Sequence, residues 1–196
     1  MTRFFYDAHL SHFDASFGLC CKQLAREFDA NGAVRQLRGL LTSLPTVEEV
    51  LGDHASQLGH DLLAYRNHVY RVVNLCLAIV GDSHVELDKL AVAAVFHDLG
   101  IWTNHTFDYI APSVAIAHKH LAARGMADCT PEIERMIVDH HKVTASRANP
   151  QWLVESFRRA DWIDVSRGLR RFGLPRTFFA DRFWKSPLNP LPMVKW

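Results

Sequence analysis

The stretch AVFHDLGIWT, residues Ala94 to Thr103, bears on both the fold and the function of this chain. It opens as an apolar run and then places His97 and Asp98 side by side, shortly before Gly100. We predict that the helix ends at this glycine, because glycine is common just past a last helical turn. Burying two polar side chains costs free energy unless partners compensate them. The stretch therefore predicts a core helix that carries two polar groups into the interior.

Helical periodicity extends along most of the chain, and no segment shows the alternating pattern of a strand. Pro45 can open one helix, and start or stop residues mark the ends of four others. These four predicted helices cover residues 62–80, 112–125, 130–141 and 150–168, and Thr130 is expected to cap the third of them. Residues 101–111 are predicted to form a loop, and two short amphipathic helices are predicted before residue 44. The expected fold is therefore all-α, a single-domain helical bundle.

The composition is typical of one ordinary globular domain. The chain has 196 residues, of which 48% are hydrophobic and 22% charged, with a formal net charge of +1. That balance gives no electrostatic reason to expect nucleic acid or an anionic membrane as a partner. The N-terminus carries acids and histidines where a secretory signal needs an apolar core, and no apolar stretch is long enough to span a bilayer. The four cysteines form no Cys-x-x-Cys pair, so reduced thiols and a cytoplasmic location are expected.

Metal-ligand side chains recur on the apolar faces of four of the predicted helices. In chain order they are His68, His97 with Asp98, His140 with the adjacent His141, and Asp161. An imidazole or an ionised carboxylate that is buried without partners is costly. One divalent cation would compensate the whole set, and imidazole nitrogen with carboxylate oxygen suits Mn, Fe, Zn, Co or Ni. One such metal site is predicted, with the identity of the metal open.

Taken in order, four stretches resemble the HD-domain superfamily of metal-dependent phosphohydrolases. They are NHVYRV (67–72), AAVFHDLG (93–100), MIVDHHK (136–142) and RRADWIDVS (158–166). The likeness covers roughly residues 65–176 and is greatest to small bacterial HD-domain proteins. It implies a helical metal-binding core of the HD-domain type over 61–176. Residues 1–60 lie outside the likeness and are expected to form an N-terminal helical extension that packs on this core. An aromatic and proline-rich tail would follow over 177–196.

The resemblance also implies roles for individual residues. The residues that would hold one metal ion are His68, His97, Asp98 and Asp161. Asp98 could bridge to a second ion, which would take His140 and one intermediate residue. Alignment on the stretch PSVA puts Tyr109 near that intermediate place, whereas His118 has a suitable spacing and lies on an apolar stripe. Both residues stay open as alternatives, and so does the second site itself.

The function implied by the resemblance is hydrolysis of a nucleotide or small phosphoester by a metal-activated water. Asp98 would orient or deprotonate that water, and the residues that would stabilise charge on the phosphate are His140, His141 and Lys142. Three alternatives stay open: a di-iron oxygenase, a hydratase of small nitriles such as cyanamide, and a non-catalytic ligand sensor. The expected partner is a small-molecule substrate, and a homo-oligomer is an open option.

Each candidate also has an ordinary structural interpretation. His68 could be a core histidine with its hydrogen bonds satisfied. Asp161 could pair with Arg71, and Asp164, one turn further on, competes with it for the metal. The other His-Asp pair, at residues 60–61, lies in a polar context and is expected to be no site. The basic residues that could bind a substrate anion, or simply face solvent, are Arg71, Arg167, Arg170 and Arg171.

Overall fold

Helices account for all the regular structure in a computed structural model of the chain, which describes residues 39–81, 85–179, 186 and 188. The α-helices are α1 (Pro45–Asp53), α2 (Ala55–Leu58), α3 (Leu62–Val80), α4 (Leu87–Phe96), α5 (Gly100–Asn104), α6 (Ile110–Ala123), α7 (Thr130–Asp139), α8 (Val154–Val165) and α9 (Arg176–Phe178). Short 3-10 turns precede α3 and α7, at Gly59–Asp61 and Ala127–Cys129. The all-α prediction is confirmed for these described residues.

The central helix α3 begins and ends at the predicted residues. Gly81 follows it with φ +78, a backbone conformation that glycine adopts without strain. Most side chains between residues 64 and 77 are buried, so α3 runs through the interior and not along the surface. The middle of α3 nevertheless carries a polar side chain, His68, which contacts Asp164 of α8. The longest described helix thus carries one of the predicted ligands into the core.

Gly100 does not end the preceding helix, as the sequence predicts, but opens α5. Helix α4 already ends at Phe96, a turn carries the His-Asp pair, and α5 takes up part of the loop predicted over 101–111. The glycine is required for close packing: a Cβ at this position would overlap the carbonyl oxygen of Tyr109 and lie 2.8 Å from Oγ of Ser113. The absence of a side chain therefore lets the start of α6 approach the His-Asp turn.

The starts of α6, α7 and α8 differ from the prediction, and the glycine after α8 agrees with it. Helix α6 begins at Ile110, two residues before the predicted Pro112. Pro150 lies in a turn and α8 begins only at Val154, while Thr130 is the first residue of α7 and not its cap. Gly168 lies just past the end of α8, as expected, with φ +74. Its N–H donates to the carbonyl of Ile163 at 2.8 Å, a bond typical of a glycine-terminated helix.

The core lies where α3, α4, α7 and α8 meet. Helix α3 packs against α4 and α8, and α7 packs against α4, α6 and α8. Buried apolar side chains from these helices fill the contacts, among them Val72, Phe96, Ile137 and Phe157. Burying one such side chain stabilises a fold by roughly 1.5–3 kcal/mol. Polar groups placed at these contacts are therefore shielded from water.

The described residues all belong to one compact unit, residues 35–196. Within it α1 packs against α4 and α2 against α5, so the described part of the predicted extension contacts the core. The first 38 residues, with the two short helices predicted there, lie outside the described residues, as does most of the predicted tail. Among the helices that the structure describes, none combines the length and apolar character needed to cross a lipid bilayer.

Candidate metal centre

The structure brings the predicted metal ligands together in one buried place. His68 projects from the middle of α3, His97 and Asp98 from the turn after α4, His140 from the first position after α7, and Asp161 from α8. Each of these residues is 2% exposed or less. Three imidazoles and two carboxylates held away from water need partners that compensate their polarity.

Each of the three buried histidines donates its Nδ1–H to a fixed acceptor. The acceptors are the Asp164 carboxylate for His68 at 2.7 Å, the Ala94 carbonyl for His97 at 2.7 Å and the Ile137 carbonyl for His140 at 2.6 Å. A carbonyl oxygen can only accept, so Nδ1 of His97 and of His140 carries a proton. In the neutral imidazole Nε2 then presents a lone pair, which is the arrangement typical of a metal-binding histidine.

The Nε2 atoms of His68 and His97 lie 3.0 Å apart. Two lone pairs at that distance repel each other unless a positive charge lies beside them. Asp98 Oδ2 lies 3.6 and 3.3 Å from these two nitrogens, and Asp161 Oδ1 lies 3.6 and 3.7 Å from them. Ligands that are each about 2.0–2.2 Å from a shared ion lie a little over 3 Å from one another. His68, His97 and Asp98 therefore form a group that could hold a metal ion, with Asp161 at a similar spacing.

The carboxylates of the site lack the hydrogen bonds that buried charges require. Neither oxygen of Asp161 accepts a hydrogen bond from the part of the chain that the structure describes, and the same holds for Oδ1 of Asp98. A buried charge without such compensation is strongly destabilising. A cation among these donors would supply it. The residues present thus fit a metal ion both by their spacing and by their charge.

Asp98 faces two groups of donors with its two oxygens. Oδ2 lies toward His68 and His97, whereas Oδ1 lies 3.2 Å from Nε2 of His140. Asp98, His140 and His141 form a second group that could hold a metal ion. His141 is the exposed member of this group, and the other members of both groups are buried. The donor set is therefore closest to solvent on the side of His141.

Asp164 lies behind His68, on the Nδ1 side of its ring, and not among the Nε2-facing donors. Arg71 binds the same carboxylate through Nε at 2.6 Å and Nη2 at 2.9 Å. Arg71 thus pairs with Asp164 and not with Asp161, and it is committed to that pair instead of being available for a substrate anion. The sequence indicates that Asp161 and Asp164 are neighbours, because a spacing of three residues puts both on one face of a helix.

The charges of the site shift pKa values strongly. In the metal-free protein burial opposes the charged form of His68, but the hydrogen bond with Asp164 and the nearby carboxylates of Asp98 and Asp161 outweigh burial and raise the pKa of this histidine to about 10. A bound metal ion would take the place of the proton on Nε2. Burial likewise opposes ionisation of Asp98, yet the neighbouring imidazoles of His97, His140 and His68 hold the pKa of this carboxyl well below its usual range. The site thus favours negative carboxylates next to a positive charge.

Two of the predicted residues are engaged elsewhere. His118 Nε2 lies 2.9 Å from a carboxylate oxygen of Glu134, and its side chain is 41% exposed. The structure therefore does not bring His118 to the second donor group, because this residue lies on the outer surface between α6 and α7. Lys142 Nζ lies 2.9 Å from the buried carboxylate of Asp139, so its ammonium group already has a partner.

The remaining candidates have contacts of their own. Asp61 is buried and accepts a hydrogen bond from Nε1 of Trp102 at 3.0 Å, which gives the second His-Asp pair a structural role. Arg170 stacks over the ring of Trp162, with its guanidinium carbon 4.7 Å from the ring centre. Arg167 and Arg171 lie in the exposed segment after α8.

Tyr109 is the residue that the structure places beside the second donor group, where the sequence leaves Tyr109 and His118 as alternatives. Its hydroxyl oxygen lies 3.2 Å from Nε2 and 3.3 Å from Nδ1 of His141. Burial and the negative charge of Asp98 raise the pKa of its phenol above the ordinary value. The phenol is therefore protonated at neutral pH and can act as a hydrogen-bond donor.

Comparison of the chain with protein-family models, with curated proteins and with solved structures finds no match to any of them.

Proposed function

We propose that this protein is a metal-dependent phosphohydrolase that acts on a nucleotide or small phosphoester. The observation that carries the proposal is the contact of two buried Nε2 atoms, of His68 and His97, next to carboxylates without hydrogen bonds. The residues that would hold the metal are His68, His97, Asp98 and Asp161. Their nitrogen and oxygen donors suit Mn, Fe, Co, Ni or Zn, and the resemblance to HD-domain phosphohydrolases favours hydrolysis among the reactions of such centres.

The metal would polarise a phosphoryl oxygen and make hydroxide available from water near neutral pH. Asp98 would accept the proton of the attacking water, because it belongs to both donor groups. Nε2 of His140 lies 3.2 Å from Oδ1 of Asp98, so this histidine would share a second metal ion with that carboxylate. His141, the exposed member of the second donor group, would hydrogen-bond an incoming phosphate.

The first experiment measures metal content and hydrolysis together. Protein purified without chelators is expected to contain a divalent metal by mass spectrometry and to release phosphate from members of a panel of nucleotides and phosphomonoesters. His97→Ala is expected to lose both properties. His60→Ala is the matched control, since His60 is 66% exposed. Wild-type protein that takes up no divalent ion, or that binds one without any phosphatase activity, would overturn the proposal.

A di-iron oxygenase is the second candidate, and the two-sided environment of Asp98 favours it. A carboxylate that faces separate donor groups with its two oxygens is suited to bridging two ions. Protein purified without oxygen distinguishes the two reactions. Iron in both sites, oxygen consumption with an organic substrate and no phosphatase activity would support the oxygenase.

A further inference from the structure

We propose that Tyr109 is a catalytic residue whose hydroxyl group donates a hydrogen bond to a phosphate oxygen of the substrate. This inference rests on the proposed phosphohydrolase function and deepens it, because it names a substrate-binding group outside the donor set. Three observations lead to it: what the hydroxyl borders, the side from which a substrate can arrive, and the way the tyrosine is held.

The hydroxyl of Tyr109 borders the second donor group directly. It lies at nearly equal distances, 3.2 and 3.3 Å, from the two ring nitrogens of His141, so it is not directed along the lone pair of either one. Its other polar neighbour is the Asp98 carboxylate. Tyr109 is itself only 6% exposed. A buried hydroxyl whose neighbours both belong to the site is well placed to contact whatever binds there.

A substrate has one evident approach to the donors that the structure describes. His141 is the exposed member of the donor set, and the other members are buried away from solvent. The buried members are His68, His97, Asp98, His140 and Asp161. Tyr109 contacts His141, and the two rings meet edge to face with centroids 6.0 Å apart. A phosphate that reaches Asp98 from this side therefore passes the hydroxyl of Tyr109.

The backbone of Tyr109 is fixed relative to the His-Asp turn. Its carbonyl accepts a hydrogen bond from the N–H of Ser113 at 2.9 Å, and Oγ of Ser113 accepts one from the N–H of Gly100 at 2.9 Å. Gly100 is two residues from Asp98. The start of α6 lies so close to Gly100 that a Cβ at this position would have no room. Such rigid support is what a hydrogen-bond donor needs to stabilise developing charge without reorganisation.

The test compares Tyr109→Phe with wild type, and uses Tyr70→Phe as the matched control. Tyr70 is also a buried tyrosine, but its hydroxyl contacts Glu48 and the backbone of Leu44 on the far side of α3 from the site. The probe is inorganic phosphate, titrated by calorimetry into protein loaded with the metal found in the wild type. Metal content and thermal melting are measured for all three proteins.

We expect Tyr109→Phe to retain the metal content of the wild type and to bind phosphate roughly tenfold more weakly, since a hydrogen bond to a charged group is worth about that much or more. Tyr70→Phe should bind phosphate as the wild type does. Unchanged phosphate affinity in Tyr109→Phe would overturn the inference alone. Loss of a metal ion from Tyr109→Phe would also overturn it, because Tyr109 would then be a metal ligand. The same holds if Tyr70→Phe binds phosphate as weakly as Tyr109→Phe does. Wild-type protein that binds metal but not phosphate would overturn the proposed function and the inference with it.

Discussion

Nδ1 of His68 and Oδ2 of Asp164 lie 2.7 Å apart, although 96 residues separate them in the sequence. This hydrogen bond joins α3 to α8 and fixes the orientation of an imidazole that presents Nε2 to the donor set. Arg71 holds the same carboxylate from the other side, so that its charge is balanced in the interior. The geometry of the donor set therefore depends on residues that lie outside it.

Asp164→Asn removes the charge that orients His68 and balances Arg71. We expect metal affinity to fall by roughly 10–100-fold, the usual effect of removing a group that supports a metal-binding histidine. Competition with a chromogenic chelator measures it. Asp88→Asn, at an exposed aspartate of α4, is the control. Wild-type affinity in Asp164→Asn would show that His68 needs no carboxylate behind it.

Asp161→Asn is expected to affect the metal-free and the metal-loaded protein in opposite ways. Without metal the variant should be more stable by about 1 kcal/mol or more, because it no longer buries a carboxylate without hydrogen bonds. A ligand present at a hundred times its Kd stabilises a protein by about 2.7 kcal/mol, and the variant should lose most of that gain. Urea unfolding with and without metal tests both effects. A less stable metal-free variant would contradict the interpretation of Asp161 as an uncompensated charge.

Gly100→Ala is expected to destabilise the protein by about 1–3 kcal/mol, because the added Cβ would overlap the Tyr109 carbonyl and crowd Ser113. Gly52→Ala, near the end of α1, is the matched control. A Cβ there meets nothing within 4 Å, so helix propensity should make this variant about 0.5–1 kcal/mol more stable. Chemical denaturation measures the free energy of unfolding of both variants. Equal values for Gly100→Ala and Gly52→Ala would mean that the contact between α5 and α6 is not tight.

Glu155 stabilises the loop that follows His141, because its carboxylate accepts hydrogen bonds from the N–H of Ser146 and from the side chain of Arg158. The hydrogen bonds from Arg158 are the main reason that the pKa of Glu155 falls from 4.5 to about 2. A lowered folded-state pKa contributes stability that is fully present above the unfolded value and is lost as the pH falls through the folded value. Glu155→Gln should thus be less stable than wild type at pH 7, and the difference should shrink between pH 4.5 and about 2. Urea unfolding of metal-free protein across this range measures it.

The control for this pH dependence is Glu86→Gln, because the side chain of Glu86 is 69% exposed. A difference between Glu155→Gln and wild type that stayed constant down to the lowest pH would show that the carboxylate charge contributes nothing to the stability of the loop.

Much of the fold can be predicted from residues whose local chemistry is restrictive. Gly81 and Gly168 end helices at positive φ, and Pro45 begins one, because each residue has a backbone preference that neighbours do not change. The donors of the site can be predicted for a related reason. An imidazole or carboxylate on an otherwise apolar helical stripe, as at His68 and Asp161, is costly unless something compensates it.

The remaining features depend on contacts between distant segments. Gly100 looks like a helix stop in its local sequence, and only the approach of Tyr109 explains it. Periodicity cannot choose between Tyr109 and His118, because the choice depends on how α6 packs against α7, where His118 meets Glu134. The start of α8, four residues past the predicted Pro150, likewise follows from tertiary packing and not from the proline.

His97 and His140 each come one residue after a helix and donate to a carbonyl three residues earlier. Carbonyls of a last turn have no helical N–H of their own, so these two rings obtain their tautomer from their own segment. His68, inside α3, finds no such free carbonyl and depends on Asp164 from a distant helix. Two of the three imidazoles are therefore oriented by acceptors in their own segment, whereas the third is oriented only by the docked helix α8. Uptake of an ion would then report the docking of that helix during folding.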